Sequence, residues 1–141
     1  MHQVFVYGTL KHGYPNAHIG MPRATFIGNY RTAECYPLVI GGRWFSPNLL
    51  NEPGNGFQVA GEAYEVDDKV LAELDALESV HLADGYRRVE MAVEPADAAS
   101  PPLDNVWTYL RERRHIDGIH DGPLATYPLD PRYVPGSKRT P

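Results

Sequence analysis

Residues 3–16 read QVFVYGTLKHGYPN, and the rest of the chain is best understood around them. Residues 4–7 form an unbroken run of strand-forming residues, which predicts a central strand covered on both faces. The run stops at Gly8 and passes into a tight turn whose backbone amides lack partners in a β-ladder. Such a turn can hold an anion or a developing oxyanion, although an ordinary strand end is the alternative interpretation.

The composition indicates a single globular domain spanning residues 1–141. Hydrophobic residues make up 43% of the chain and charged residues 22%, which is near the average of folded proteins, while 13 Gly, 13 Pro and 9 Tyr predict many turns and much β-structure. The net charge of -5 carries no basic stripe, so the sequence argues against nucleic-acid binding. We interpret the basic cluster of Arg111, Arg113 and Arg114 as a solvated strand end.

Cysteine use and hydropathy suggest the compartment. Cys35 is the only cysteine, so no internal disulfide can form, which suits a reducing environment. No apolar run reaches the roughly 18 residues that a membrane span needs, and the N-terminus lacks a signal-peptide pattern. We therefore expect a soluble, cytoplasmic monomer without membrane partners.

One helix is predicted over residues 68–78. Asp67 is a suitable N-cap, and Val66 can pack onto Leu71 across it. Apolar residues recur at helical spacing and define the face that enters the core, at Val70, Leu71, Leu74 and Leu77.

The remaining segments are mostly strands and loops. Residues 24–35 predict a strand bent at Gly28 and Asn29, and residues 36–40 predict a hairpin with residues 43–46 across a glycine turn. Further strands are predicted over residues 59–66, 86–93 and 106–110, with loops over residues 47–57 and 94–105. From His115 the chain is expected to be an irregular tail that wraps the body and frays after Tyr133.

Glu78 is the strongest candidate for chemistry. It follows Leu74 by four positions and Leu71 by seven, so the predicted helix puts its carboxylate on or beside the apolar stripe. Burial and the carbonyls of a helix C-terminus both raise a carboxyl pKa, as a general acid/base near neutral pH requires. A frayed last turn with a solvated Glu78 is the alternative.

Four sequence blocks resemble the γ-glutamyl cyclotransferase-like superfamily, especially its γ-glutamylamine cyclotransferase and AIG2-like branch. The opening VFVYGTLKxGxxN resembles the first signature, and LDALE at residues 74–78, followed by Tyr86-x-Arg88, resembles the second. GEAYEV at residues 61–66 and YPLVI at residues 36–40 extend the similarity to roughly residues 3–110. The segment between Glu78 and Tyr86 departs from the pattern, because it is longer than usual and lacks the expected proline.

The resemblance implies a fold, a reaction and a set of site residues. The implied fold is α+β, a small mixed β-barrel-like sheet with one main helix. The implied reaction is cyclotransfer, in which the α-amine of a small γ-glutamyl compound attacks its own γ-carbonyl, releasing an amine and 5-oxoproline. Glu78 would be the catalytic acid/base, no cofactor or metal would be needed, and the residues implied to bind substrate are Tyr7, Gly8, Thr9, Leu10, Tyr36, Tyr86 and Tyr109.

Other functions remain as alternatives. The leaving group could be the ε-amine of lysine, as in γ-glutamyl-ε-lysine, or the α-amine of an amino acid. A non-catalytic AIG2-like ligand-binding or stress-response module could keep the same pocket. Residues 115–121, HIDGIHD, superficially offer metal ligands, but His and Asp in a glycine-rich tail are more often turn residues.

Overall fold

The computed structural model describes residues 1–97 and 100–139. Its strands are β1 (His2–Val6), β2 (Thr25–Thr32), β3 (Leu38–Gly41), β4 (Ser46–Leu49), β5 (Ala60–Val66), β6 (Arg87–Pro95), β7 (Leu103–Leu110) and β8 (Ile119–Leu124). The α-helix found in these residues, α1, spans Asp68–Leu77, and short 3-10 turns cover Met21–Arg23, Arg113–His115 and Gly136–Lys138.

Five strands close into a barrel in the order β1-β5-β2-β6-β7. The barrel is mixed, because β1 runs antiparallel to β5 but parallel to β7. A separate three-stranded sheet has the order β4-β3-β8. The predicted α+β barrel with one main helix is therefore confirmed.

Strand β1 is central because both of its faces are buried. Phe5 and Tyr7 point into one apolar cluster with residues of the barrel and of the smaller sheet. Val4 and Val6 belong to a second cluster that includes the apolar stripe of α1. The alternation of side chains along a strand thus lets one run of apolar residues join the two halves of the core.

The helix begins where the sequence predicts. The side chain of Asp67 accepts a hydrogen bond from the amide of Val70, with an N···O distance of 2.8 Å. Val70, Leu71 and Leu74 are buried against the barrel. The helix ends at Leu77, and Glu78 is its C-cap.

Several predicted strands are confirmed. β2 carries its irregularity between Phe26 and Gly28, where the sequence predicts the bend. Gly61 of β5 allows a close approach, because a Cβ there would lie 2.4 Å from the carbonyl oxygen of Val6. The hairpin at Gly41 also forms, as β3 with β4.

Two strand boundaries were predicted wrongly, and one strand was missed. The strand returning from the hairpin is Ser46–Leu49, since residues 42–45 form the turn, so residues 47–49 are not loop. β7 starts at Leu103 rather than residue 106, and the predicted loop 94–105 includes residues 98 and 99, outside the described part of the chain. The tail contains β8, although the sequence predicts none there. β4 and β8 contain Pro47 and Pro123, and they are the two edges of their sheet, where proline is tolerated.

Candidate active site

A cavity of about 700 Å³ lies beside the end of β1. Its walls come from distant parts of the chain: the loop after β1, the β3–β4 turn, the end of α1, the end of β7 and the C-terminal tail. Of the residues predicted to bind substrate, the lining includes Tyr7, Gly8, Thr9, Leu10, Tyr86 and Tyr109, and Glu78 joins them. A cavity of this size is typical of small-molecule sites.

The loop of residues 8–10 leaves three amides available. Its carbonyls are used internally, since the amide of Lys11 donates to Gly8 O at 3.1 Å and that of Asn16 to Thr9 O at 2.8 Å. Within residues 1–97 and 100–139, the N–H groups of residues 8–10 reach no acceptor. Amides held in place without partners suit a negatively charged group.

Gly8 is required by space rather than by backbone conformation. A Cβ at this position would lie 2.6 Å from Cγ of Pro47, which is closer than real contacts allow. The β4 strand therefore packs directly on the loop that carries the free amides.

Glu78 is held by the geometry of the helix end. The amide of Val80 donates to Asp75 O and that of Ser79 to Ala76 O, each at 3.2 Å, which is the Schellman arrangement. Ser79 adopts a left-handed conformation with φ 54°, a position usually taken by glycine. A Cβ on Gly85 would lie 2.0 Å from Ser79 O, so the following loop packs tightly against this turn.

The carboxyl group of Glu78 has a strongly perturbed pKa. Burial raises the pKa of Glu78 from its ordinary 4.5 to about 7, although the nearby charges of Arg139 and Arg111 oppose the rise. The direction predicted from the sequence is confirmed, with burial as the largest cause. At neutral pH the group is divided between its acid and its base form.

Three tyrosines surround Glu78, and their hydroxyls are engaged. Tyr7 donates to the carbonyl of Tyr109 at 2.7 Å and accepts from the amide of Leu49 at 3.3 Å. Tyr86 donates to Pro47 O at 2.7 Å, and Tyr109 donates to Asp75 Oδ1 at 2.8 Å. Burial, with a smaller contribution from the charge of Glu78, raises the pKa of each phenol well above its usual range. The tyrosines are therefore neutral scaffolding around the carboxyl group.

Arg111 enters this site although the sequence places it among solvated residues. Its guanidinium donates to the carbonyls of Asp84 and His115 at 3.0 and 3.1 Å and lies over the Tyr86 ring. It is half-buried and lines the cavity, so the interpretation of the basic cluster as solvated is wrong for Arg111, whereas Arg113 and Arg114 are exposed.

Arg139 is a second cation that sequence reasoning missed. It comes from the tail segment expected to fray, yet that segment is attached to the body, since the amide of Val134 donates to Trp44 O at 3.1 Å. Tyr133 accepts a hydrogen bond from the side chain of Asn16 at 2.9 Å, and Asn16 also donates to Thr9 Oγ1 at 2.9 Å. The tail is thereby tied to the loop of residues 8–10. Its two final residues lie outside the described residues.

Two residues of the resembling motifs lie elsewhere. Tyr36 is paired with Phe57 in an isolated β-bridge and borders a separate small cavity beside Glu34, outside the lining of the main cavity. Its role in substrate binding stays a prediction. Arg88 lies 3.5 Å from Asp75 Oδ1 and stacks over the Trp107 ring, outside the lining.

Two tail residues that the sequence offers as metal ligands, His120 and Asp121, are used in structural contacts. His120 stacks on Phe45, with 4.1 Å between ring centroids, and its Nε2 lies 2.9 Å from Gly42 O. Asp121 forms an ion pair with Arg132. Among residues 1–97 and 100–139, no group of three or more His, Cys, Asp or Glu side chains is arranged to hold a metal ion.

None of the described helices has the length and apolar character needed to cross a membrane.

A sequence model of the family "Gamma-glutamyl cyclotransferase, AIG2-like" matches residues 4–127.

Curated relatives share much of the chain. A gamma-glutamylaminecyclotransferase from Bos taurus is 49% identical over 125 residues, covering 84% of this chain and 73% of the relative. A protein of the same name from Mus musculus is 42% identical over 152 aligned residues, covering 99% of this chain and 100% of the relative. The crystal structure of an AIG2-like protein from Mus musculus superposes with a TM-score of 0.76 at 32% identity, covering 99% of both chains.

Proposed function

The chain belongs to the γ-glutamyl cyclotransferase, AIG2-like family, and from this premise we propose that it is a γ-glutamylamine cyclotransferase. It converts a γ-glutamyl amine such as γ-glutamyl-ε-lysine into 5-oxoproline and the free amine. It needs no cofactor or metal, because the nucleophile is part of the substrate and only proton transfer and charge stabilisation are required.

The observation that carries the proposal is the pairing of Glu78 with the free amides of residues 8–10 in one cavity. A carboxyl group with a pKa of about 7 can accept and return a proton near neutral pH. The amides supply hydrogen-bond donors for a carbonyl oxygen that becomes negatively charged. Cyclotransfer needs both functions in the same place.

The reaction proceeds by intramolecular attack. The neutral α-amine of the substrate bonds to the γ-carbonyl carbon, and the carbonyl oxygen becomes an oxyanion held by the amides of residues 8–10. The ionised carboxylate of Glu78 takes a proton from the attacking nitrogen, which is positively charged after attack. It then donates this proton to the leaving nitrogen as the carbon–nitrogen bond breaks. The products are the lactam ring of 5-oxoproline and an uncharged amine.

The walls of the cavity assist by positioning. Since nucleophile and carbonyl are already tethered, the protein need only hold the substrate in a folded conformer. Tyr7, Tyr86 and Tyr109 shape the site around Glu78 as neutral side chains. The charges of Arg139 and Arg111 keep a useful fraction of Glu78 ionised by opposing the effect of burial.

Location and assembly belong to the same proposal. We place the enzyme in the cytoplasm, since its lone Cys35 can form no internal disulfide. A net charge of -5 without a basic stripe disfavours nucleic acid as a partner, and we expect a monomer to suffice because the proposed site residues come from one chain.

The direct test is incubation of the purified protein with a panel of γ-glutamyl compounds and detection of 5-oxoproline. The panel contains γ-glutamyl-ε-lysine and γ-glutamyl amino acids linked through the α-amine. We expect release from the ε-linked compound at the highest kcat/KM, without inhibition by chelators. Release only from α-linked compounds would reassign the leaving group, and absence of release from the whole panel would favour a non-catalytic binding module.

A further inference from the structure

Arg139 stands at the exposed rim of the cavity that holds Glu78. Its position is fixed by several contacts. Its Nε donates to Val134 O at 2.9 Å, and its Nη2 lies 3.4 Å from Ser46 Oγ. The guanidinium also lies over the rings of Trp44 and Tyr133, at 5.6 and 5.7 Å from their centroids. The aromatic contacts favour a cation at this place.

The charge of Arg139 acts on Glu78 without direct contact between the two side chains. Among residues 1–97 and 100–139, no carboxylate lies within ion-pair distance of its guanidinium. Two of its nitrogens contact only neutral oxygens, so donors of the guanidinium fork remain available for a ligand. An oriented arginine with free donors is suited to a carboxylate, which it can bind through two parallel hydrogen bonds.

The ligand that passes this rim is the leaving amine. In the proposed reaction the glutamyl part is held at the loop of residues 8–10 and the scissile bond faces Glu78. These groups lie among buried residues, because Tyr7, Thr9 and Leu10 are almost inaccessible to solvent. The group attached beyond the scissile nitrogen therefore extends towards the exposed tail. When that group is lysine linked through its ε-amine, its α-carboxylate lies at the far end of a flexible chain.

We propose that Arg139 binds the carboxylate of the departing amino acid and so selects γ-glutamyl compounds whose leaving amine carries a carboxylate. This inference rests on the proposed function. It makes Arg139 a specificity-determining residue rather than a catalytic one.

The test compares substrates that differ only in this carboxylate. γ-Glutamyl-ε-lysine and γ-glutamylcadaverine have the same scissile bond and the same distal ammonium, but cadaverine lacks the carboxylate. We expect wild type to favour the lysine compound by about tenfold in kcat/KM, at the low end for a charge-assisted contact because Arg139 is exposed. The preference should reside in KM, since the contact forms in both the bound substrate and the transition state.

Arg139→Met should reduce the preference to about onefold, that is, to equal kcat/KM values for the two compounds. Any effect of this substitution on Glu78 changes kcat/KM for both substrates alike, so it cancels in the ratio of the two kcat/KM values. Arg139→Lys keeps the charge without the fork and should retain part of the preference. Lys138→Met is the matched control, because it removes the neighbouring exposed cation of the same tail turn and should leave the preference intact. Thermal melts identify any variant that fails to fold, for which Arg139→Gln is the substitute.

Each other outcome has a distinct meaning. Equal kcat/KM values for wild type on both compounds, or a preference that survives in Arg139→Met, would overturn the inference. A parallel loss on both compounds in Arg139→Met keeps the preference, so it would show that this arginine acts through Glu78 or the glutamyl part and not through the departing carboxylate, which also overturns the inference. If neither compound yields 5-oxoproline with wild type, the proposed function itself fails.

Discussion

Replacement of Glu78 by glutamine should stabilise the fold at high pH and not at low pH. Burial raises the pKa of Glu78 from 4.5 to about 7, so the folded protein resists ionisation of this group. A raised carboxyl pKa adds stability below the unfolded value, and this stability is lost as pH rises through the folded value. For Glu78 the loss occurs between about pH 4.5 and pH 7 and amounts to about 3 kcal/mol. Glutamine cannot ionise and escapes this loss.

The measurement is urea denaturation of wild type and Glu78→Gln across this pH range. The difference in free energy of unfolding should be small near about pH 4.5 and should grow in favour of the variant by about 3 kcal/mol at about pH 8. Other titrating groups are common to both proteins and cancel in the difference. Glu90→Gln, which removes an exposed carboxyl, is the matched control. Parallel curves for wild type and Glu78→Gln would refute the view that burial perturbs this group.

Three further outcomes are expected. The acidic limb of kcat/KM against pH should follow ionisation of Glu78 with an apparent pKa of about 7. Arg111→Met should move this limb to higher pH, because the substitution removes a charge that lowers the pKa of Glu78. A limb that moves to lower pH would contradict this prediction. Gly8→Ala should lose about 1–3 kcal/mol in thermal or chemical denaturation, because its Cβ would overlap the Pro47 ring; unchanged stability and activity would show that the loop gives way freely. Deletion of residues 134–141 should lower kcat/KM on γ-glutamyl-ε-lysine, because it removes part of the cavity wall. Full activity of the deletion variant would instead show that the tail is dispensable, as the frayed tail predicted from the sequence implies.

The elements that the sequence predicted well are those encoded by neighbouring residues. The run of apolar residues at Val4 and Phe5 indicates a strand buried on both faces, and the clusters on either side of β1 confirm it. Asp67 indicates the start of α1 through a contact only three residues away. The bend of β2 is marked by Gly28. In each case local chemistry and the final fold agree.

The strands that the sequence missed depend on their partners. Pro47 and Pro123 are strong signals for loops, yet both lie in strands at the edges of the small sheet, paired with β3. An edge strand tolerates residues that cannot donate a ladder hydrogen bond. Nothing in the sequence around Pro47 or Pro123 shows that both edges of β3 would be free to pair with another strand.

Only part of the candidate site could be predicted, because some of its residues depend on contacts between distant parts of the chain. Glu78 could be found because its spacing from Leu74 places it beside the apolar face of its own helix. Arg111 and Arg139 reach the cavity only through the closure of the fold, which brings the end of β7 and the tail to one place. A weak signal existed for Arg111, since it immediately follows a predicted strand. Tyr36 lies outside the lining of the main cavity because its β-bridge to Phe57 holds it beside another cavity, which its motif alone does not reveal.

The role of Glu78 is tested most directly by 5-oxoproline release from γ-glutamyl-ε-lysine by wild type and Glu78→Gln at neutral pH. The variant keeps the size of the side chain but cannot accept a proton from the attacking amine, so turnover should fall by roughly 10²- to 10⁴-fold. Glu73→Gln on the same helix, which pairs with Arg23 outside the cavity, should retain activity. A Glu78→Gln protein that is folded and as active as wild type would contradict the assignment of Glu78 as the general acid/base.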